Sequence, residues 1–152
     1  GSVIGLFEGR LEQAVVLASF IPIVTGMGGN AAVQRGAIAV PGITWGRFWA
    51  GGFARRLGKE LAVALVNGMV LAGLLSSFVL LFQIGNANSL ALTVGLTMFS
   101  VILLATTNGA LVPFILDSVG IDPAKAMGPF VTTLNDIVGL TVYFLIASVI
   151  YL

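Results

Sequence analysis

Four long apolar stretches, separated by short polar clusters, divide the chain. Leu61–Phe82 is the cleanest, 22 residues without a charge. At about 1.5 Å per residue a helix there is roughly 33 Å long, the thickness of a bilayer's hydrocarbon core. Ser89–Leu116 is of the same kind and carries Asn108 and, near its end, Pro113. Another stretch runs from about Glu12 to Val40, and the pattern predicts a break in it at Pro22 and at the run TGMGGN, Thr25–Asn30. The last occupies roughly Pro123 or Pro129 through Leu152. Asp122-Pro123 reads as an N-cap followed by proline at N1, so this helix is expected to start before Pro129 and bend there. The predicted fold is an all-α membrane bundle with four complete spans.

The stub Val3–Phe7 ends at Glu8 and is too short to span anything. We expect it to be the tail of a truncated first helix, with Gly1-Ser2 a tag remnant and residues 3–152 one transmembrane domain.

Composition agrees with the pattern. Hydrophobic residues make up 58% of the chain and charged ones 9%, with mean hydropathy +1.09. A soluble domain carries about 25% charged residues. The net charge of +1 steers no particular partner, and nothing in it calls for nucleic acid. The absence of Cys and His excludes disulfides, thiolate metal sites, imidazole bases and Ser-His-Asp triads, so any bound metal must be held by oxygen. Charge also sets an expected orientation. Arg47, Arg55, Arg56 and Lys59 fall in the 41–60 loop and Lys125 in the 117–125 loop, whereas Gln83–Asn88 has no basic residue. The positive-inside rule places the two basic loops in the cytoplasm and the C-terminus outside, in a multi-pass protein of the cell membrane. Trp45, Phe48, Trp49 and Phe53 among those basic residues fit either a short interfacial helix or an aromatic-belt loop.

Asp136 is the only charged residue between Ala126 and Leu152. A carboxylate at membrane depth costs about 2.5 kcal/mol or more, so it needs protein, water or a cation beside it. Thr132 and Gly128 precede it at helical spacing and Gly139 follows, with Thr133 beside this wettable stripe. Counted from Pro129, Asp136 lies about 10 Å along the helix. Arg35 is the one candidate cationic partner within the spans. The run Gly28-Gly29-Asn30-x-x-x-Gln34 loosens a helix and puts two amides on one face. It fits a cation path, and it equally fits a kinked, glycine-packed helix pair. Asn67 and Asn108 read as interhelical hydrogen-bond glue, and Gly68, Gly73, Gly95 and Gly109 as sites of close helix approach. One carboxylate is too little charge for a divalent ion, and two copies on a symmetry axis would supply two.

The elements Pro22…Gly28-Gly29-Asn30-x-x-x-Gln34 and Asp122-Pro123-Ala124…Gly128-Pro129-Phe130-Val131-Thr132-Thr133-x-x-Asp136 resemble the MgtE family of magnesium channels, related to the SLC41 magnesium transporters. The resemblance covers the chain from the stub onward. It implies a homodimer with the pore at the subunit interface, lined by the first and last complete spans. It also implies a hydrated Mg²⁺ bound at Asp136 and pore-lining roles for Gly28, Gly29, Asn30, Thr132 and Thr133; the helical stripe adds Gly128 to the pore-lining set, and the sequence offers Gln34 and Arg35 as further candidates. Ala32 stands where the family often has glycine. The function so implied is passive Mg²⁺ permeation, with other divalent cations as possible cargo and no enzymatic step. The alternatives are a cation-coupled transporter of divalent metals, or a structural subunit in which Arg35 pairs with Asp136.

Overall fold

The structure, a computed structural model, describes the backbone of residues 2–44 and 53–152, with side chains for 8–37, 54–125 and 128–152. Four helices account for nearly all of it: α1 (Ser2–Thr44), α2 (Phe53–Leu81), α3 (Ala87–Ser118) and α4 (Pro123–Ile150). Each contains a stretch long and apolar enough to cross a membrane, namely Glu8–Ala37, Ala54–Leu81, Ala87–Ser118 and Gly128–Ile150. The expected all-α membrane architecture is therefore present.

The expected break in the first span is not. α1 continues through Pro22 and through Gly28-Gly29, and the stub Val3–Phe7 is part of the same helix. The glycines are absorbed by packing instead of by unwinding. Gly28 faces α3, where a Cβ would come within 2.7 Å of Val101 Cγ1. Pro22 removes the amide that would bond the Ala18 carbonyl. One residue away, the buried Tyr143 hydroxyl of α4 donates to the Leu17 carbonyl at 2.7 Å. The basic residues Arg55, Arg56 and Lys59 belong to the first turns of α2, so the 41–60 segment is partly helical. Trp45, Phe48 and Trp49 lie outside the described residues.

α3 is the hub, packed against α1, α2 and α4, while α1 also packs on α4. Its most apolar stretch is 61% buried, against 17–28% for the other three helices. One core cluster joins Leu17, Phe20 and Val24 of α1 to Leu90, Val94 and Val101 of α3 and Tyr143 and Ala147 of α4. A second joins Ala32, Ala105, Val112, Leu116 and Val131 nearer the α3–α4 connection. Lipid is as apolar as leucine, so helix association here depends on close van der Waals fit at small residues. Gly109 supplies the closest approach of two backbones, since a Cβ there would land on the Ala32 backbone carbonyl. Gly68 meets Phe99, and Gly95 meets Ser76, whose hydroxyl bonds the Ala91 carbonyl at 2.8 Å. Gly73 differs from expectation: no atom lies within 4 Å of its Cβ position, and it borders an open groove.

The two described connections are short. Between α2 and α3, Gln83 and Gly85 adopt positive φ values of 50° and 56°. Gly85 is required twice over, because a Cβ would also sit 2.6 Å from the Tyr151 hydroxyl. That contact seats the turn on the C-terminal end of α4. Between α3 and α4 the Asp122 side chain accepts the Ala124 amide at 3.0 Å and Pro123 occupies N1, as the sequence predicts. α4 then passes through Pro129 without interruption.

Candidate functional site

α1 and α4 meet along a groove of about 280 Å³ lined by Thr25, Gly26, Gly29, Asn30, Val33, Thr132 and Asp136. Two sequence elements a hundred residues apart are thus brought to one place. Helical spacing explains the α1 wall, since Thr25, Gly29 and Val33 recur every four residues. Thr132 and Asp136 have the same spacing on α4. Gly29 keeps the groove wide, because a Cβ there would be 3.8 Å from Thr132 Cγ2.

The groove's hydroxyls are committed as donors to their own helices. Thr132 Oγ1 donates to the Gly128 carbonyl at 2.7 Å, and Thr25 Oγ1 to the Ile21 carbonyl at 3.0 Å. Toward the groove each then offers only lone pairs. With the Asp136 carboxylate and the Asn30 amide oxygen, the wall presents hydrogen-bond acceptors, a set suited to a hard cation or its water shell. Asp136 is half-buried. Among the described residues no group of three or more acidic residues forms a metal cage, so one chain brings one carboxylate.

Arg35 does not neutralise Asp136. Its Nη1 lies 2.7 Å from Glu60 Oε2 of α2. At about 100° per residue, Arg35 is roughly 200° around α1 from Val33, so it cannot reach the α4 side. Gln34 and Arg35 belong to a separate cavity of about 190 Å³ between α1, α2 and α3, whose wall includes Asn67 and Thr106. Asn30 borders both spaces. Of the remaining predicted residues, Gly28 is buried against Val101, Gly128 contributes its carbonyl to Thr132, and Thr133 is exposed outside the groove.

Asn135, next to Asp136, carries a role that sequence reasoning missed. It is buried, its Nδ2 donates to the Val131 carbonyl at 2.8 Å, and its Oδ1 accepts from Asn108 Nδ2 at 3.3 Å. This bond ties α4 to α3 and fixes the rotation that turns Asp136 into the groove. Asn108 therefore acts as interhelical glue, whereas Asn67 is exposed and, among the described residues, bonds no other helix. The available signal was the polar doublet Asn135-Asp136 in an apolar helix, whose two members must point about 100° apart.

Residues 21–146 match the model of a family described as MgtE, divalent cation transporter. The chain is 36% identical over 148 residues to the magnesium transporter MgtE of Bacillus subtilis (strain 168), covering 97% of this chain and 32% of that protein. The protein of the same name from Enterococcus faecalis is 35% identical over 147 residues, and that from Thermus thermophilus 31% over 149. Each match covers nearly all of this chain and about a third of the relative's length.

Proposed function

This chain belongs to the MgtE family of divalent cation transporters, and from that premise we propose that its α1–α4 groove is one wall of a Mg²⁺ permeation path. The observation that carries the reading is the oxygen-rich lining around an Asp136 that has no cationic partner among the described residues. Mg²⁺ sheds water reluctantly and prefers six oxygens in octahedral geometry. A shell of six waters occupies about 180 Å³ at roughly 30 Å³ each, which a groove of about 280 Å³ accommodates. Asp136 would bind the ion through water, with Asn30 and Thr132 accepting hydrogen bonds from the shell. Gly29 would keep the path wide.

Two positive charges call for two carboxylates. A homodimer with the α1–α4 faces of both chains around one axis supplies the second Asp136 and closes the groove from the open side. Exposed Val33, Phe130 and Ile137 on these helices provide apolar surface for such an interface. The positive-inside rule orients the Arg55, Arg56 and Lys59 end toward the cytoplasm and the C-terminus outward. The continuous α1 supports a passive pore over a coupled transporter, because the broken helix that would suit alternating access is missing.

The test is Mg²⁺ uptake into proteoliposomes carrying the chain, with no Na⁺ or proton gradient imposed. Wild type should conduct, and Asp136→Ala should lower the flux at least ten-fold while leaving the circular dichroism melt unchanged. Flux that appears only with a Na⁺ or proton gradient would replace the pore by a coupled transporter.

A further inference from the structure

We propose that the cavity between α1, α2 and α3 holds a small cluster of ordered water, and that through it Gln34, Asn67 and Thr106 position the Asn30 amide at the Asp136 groove. This role of Asn30 rests on the groove being the cation path. The cavity measures about 190 Å³, and five polar side chains stand in its wall: Asn30, Gln34 and Arg35 of α1, Asn67 of α2 and Thr106 of α3. At roughly 30 Å³ per water it has room for about six.

Thr106 points to an occupant. It is 3% exposed, and among the described residues its hydroxyl has no hydrogen-bond partner. The other helical threonines of this bundle behave differently: Thr25, Thr93, Thr107, Thr132 and Thr141 each donate to the carbonyl four residues back. A buried hydroxyl left unpaired is costly, so one that opens into a cavity calls for a partner there. The amides of Asn30, Gln34 and Asn67 in the same wall are likewise without a hydrogen bond among the described residues. Asn67 lies six residues into the charge-free run Leu61–Phe82, about 9 Å along the helix, where lipid tails offer neither donor nor acceptor.

The chemistry of the wall selects water over an ion. Asn30, Gln34, Asn67 and Thr106 each both donate and accept, as water does. A cation would meet the Arg35 guanidinium, which stands in the same wall. An anion would leave the oxygens of the three amides and of Thr106 unmatched. Asn30 borders the Asp136 groove as well as the cavity. Its NH₂ group donates to water in the cavity, which leaves Oδ1 to accept from a cation's hydration shell on the other side. Gln34, Asn67 and Thr106 do not line the groove, so their effect on the ion passes through Asn30.

A crystal structure of the full chain at a resolution that shows ordered water tests the occupant. Waters hydrogen-bonded to Thr106 Oγ1 and to the amides of Asn30 and Asn67 are expected. A dry cavity, or one filled by an ion, a lipid chain or a side chain of a second copy, overturns the proposal. Mg²⁺ uptake into proteoliposomes tests the positioning role. Thr106→Val keeps the shape and removes the hydroxyl, and should slow uptake about three-fold, as one hydrogen bond within a membrane protein provides. Thr106→Ser should restore the wild-type rate, and Asn67→Leu should also slow uptake, with circular dichroism melts checking that each variant is folded. In an Asn30→Ala background Thr106→Val should change nothing further, because its effect runs through Asn30. The same fold-loss in both backgrounds, or uptake indifferent to Thr106→Val and Asn67→Leu, would overturn the positioning role. Failure of the groove as a cation path looks different: uptake would then be indifferent to Asp136→Ala, whereas the failures above occur in a protein whose uptake still depends on Asp136.

Discussion

Gly28 and Gly29 are neighbours of identical chemistry, yet alanine should have opposite effects at the two positions. They point about 100° apart on α1. A Cβ at Gly28 would stand 2.7 Å from Val101 Cγ1 across the α1–α3 contact, whereas one at Gly29 would stand 3.8 Å from Thr132 Cγ2, an ordinary contact. Both substitutions gain the same intrinsic helix preference of about 1 kcal/mol, so that contribution cancels when the two variants are compared. What remains is overpacking at position 28, about 1–3 kcal/mol for one extra carbon in a filled core. Gly28→Ala should therefore be about 1–3 kcal/mol less stable than Gly29→Ala in denaturation followed by circular dichroism. Shortening the neighbour in Gly28→Ala/Val101→Ala should recover part of the loss. Flux should rank the other way. Gly29→Ala narrows the groove beside Asp136 and should slow Mg²⁺ uptake several-fold in a fully folded protein. Equal stability of the two single variants would refute the α1–α3 contact as described, whatever the flux.

Two further substitutions probe what holds the site in place. Tyr143→Phe removes the buried hydroxyl that donates to the Leu17 carbonyl at 2.7 Å and should cost about 1 kcal/mol in the same denaturation assay, in the range of hydrogen bonds between membrane helices. Asn135→Leu removes the partner of Asn108, and should lower both stability and Mg²⁺ flux although Asp136 is untouched. The double variant Asn108→Leu/Asn135→Leu should be more stable than the sum of the two single losses predicts, because no orphaned amide is left.

The class of fold was legible because it rests on long-range averages. Four apolar runs in a chain with 9% charged residues leave little choice, and the helix start at Asp122-Pro123 is a purely local hydrogen-bond device. The companions of Asp136 were legible for a related reason: Thr132 shares its face by helical period alone. Which way each α1 residue points was not. Gly28, Gly29, Asn30 and Gln34 read as one motif, with Arg35 beside it as a candidate partner of Asp136, but the helix distributes these five among the α3 contact, the α4 groove and the α2 cavity. That assignment depends on how α1 is rotated against α3 and α4, which Val101, the Ala32 carbonyl and Tyr143 decide. The predicted break at the glycines failed for the same reason, since glycine weakens a free helix but lets a packed one approach its neighbour.

The rotation of α1 also explains why Arg35 leaves the carboxylate alone. A single arginine within reach of Asp136 would cancel the charge a cation needs and turn the groove into a structural ion pair. Here the guanidinium is held on the α2 side by Glu60, and Asn30 lies between the two spaces, bordering both without bringing charge to either. Glu60→Gln would free the Arg35 charge without moving it, because Arg35 stays on the far side of α1. If the helix rotation is what protects the site, Mg²⁺ flux in Glu60→Gln should stay within about two-fold of wild type, a change under 0.5 kcal/mol. A collapse of flux in that variant would mean that Arg35 can reach the carboxylate after all.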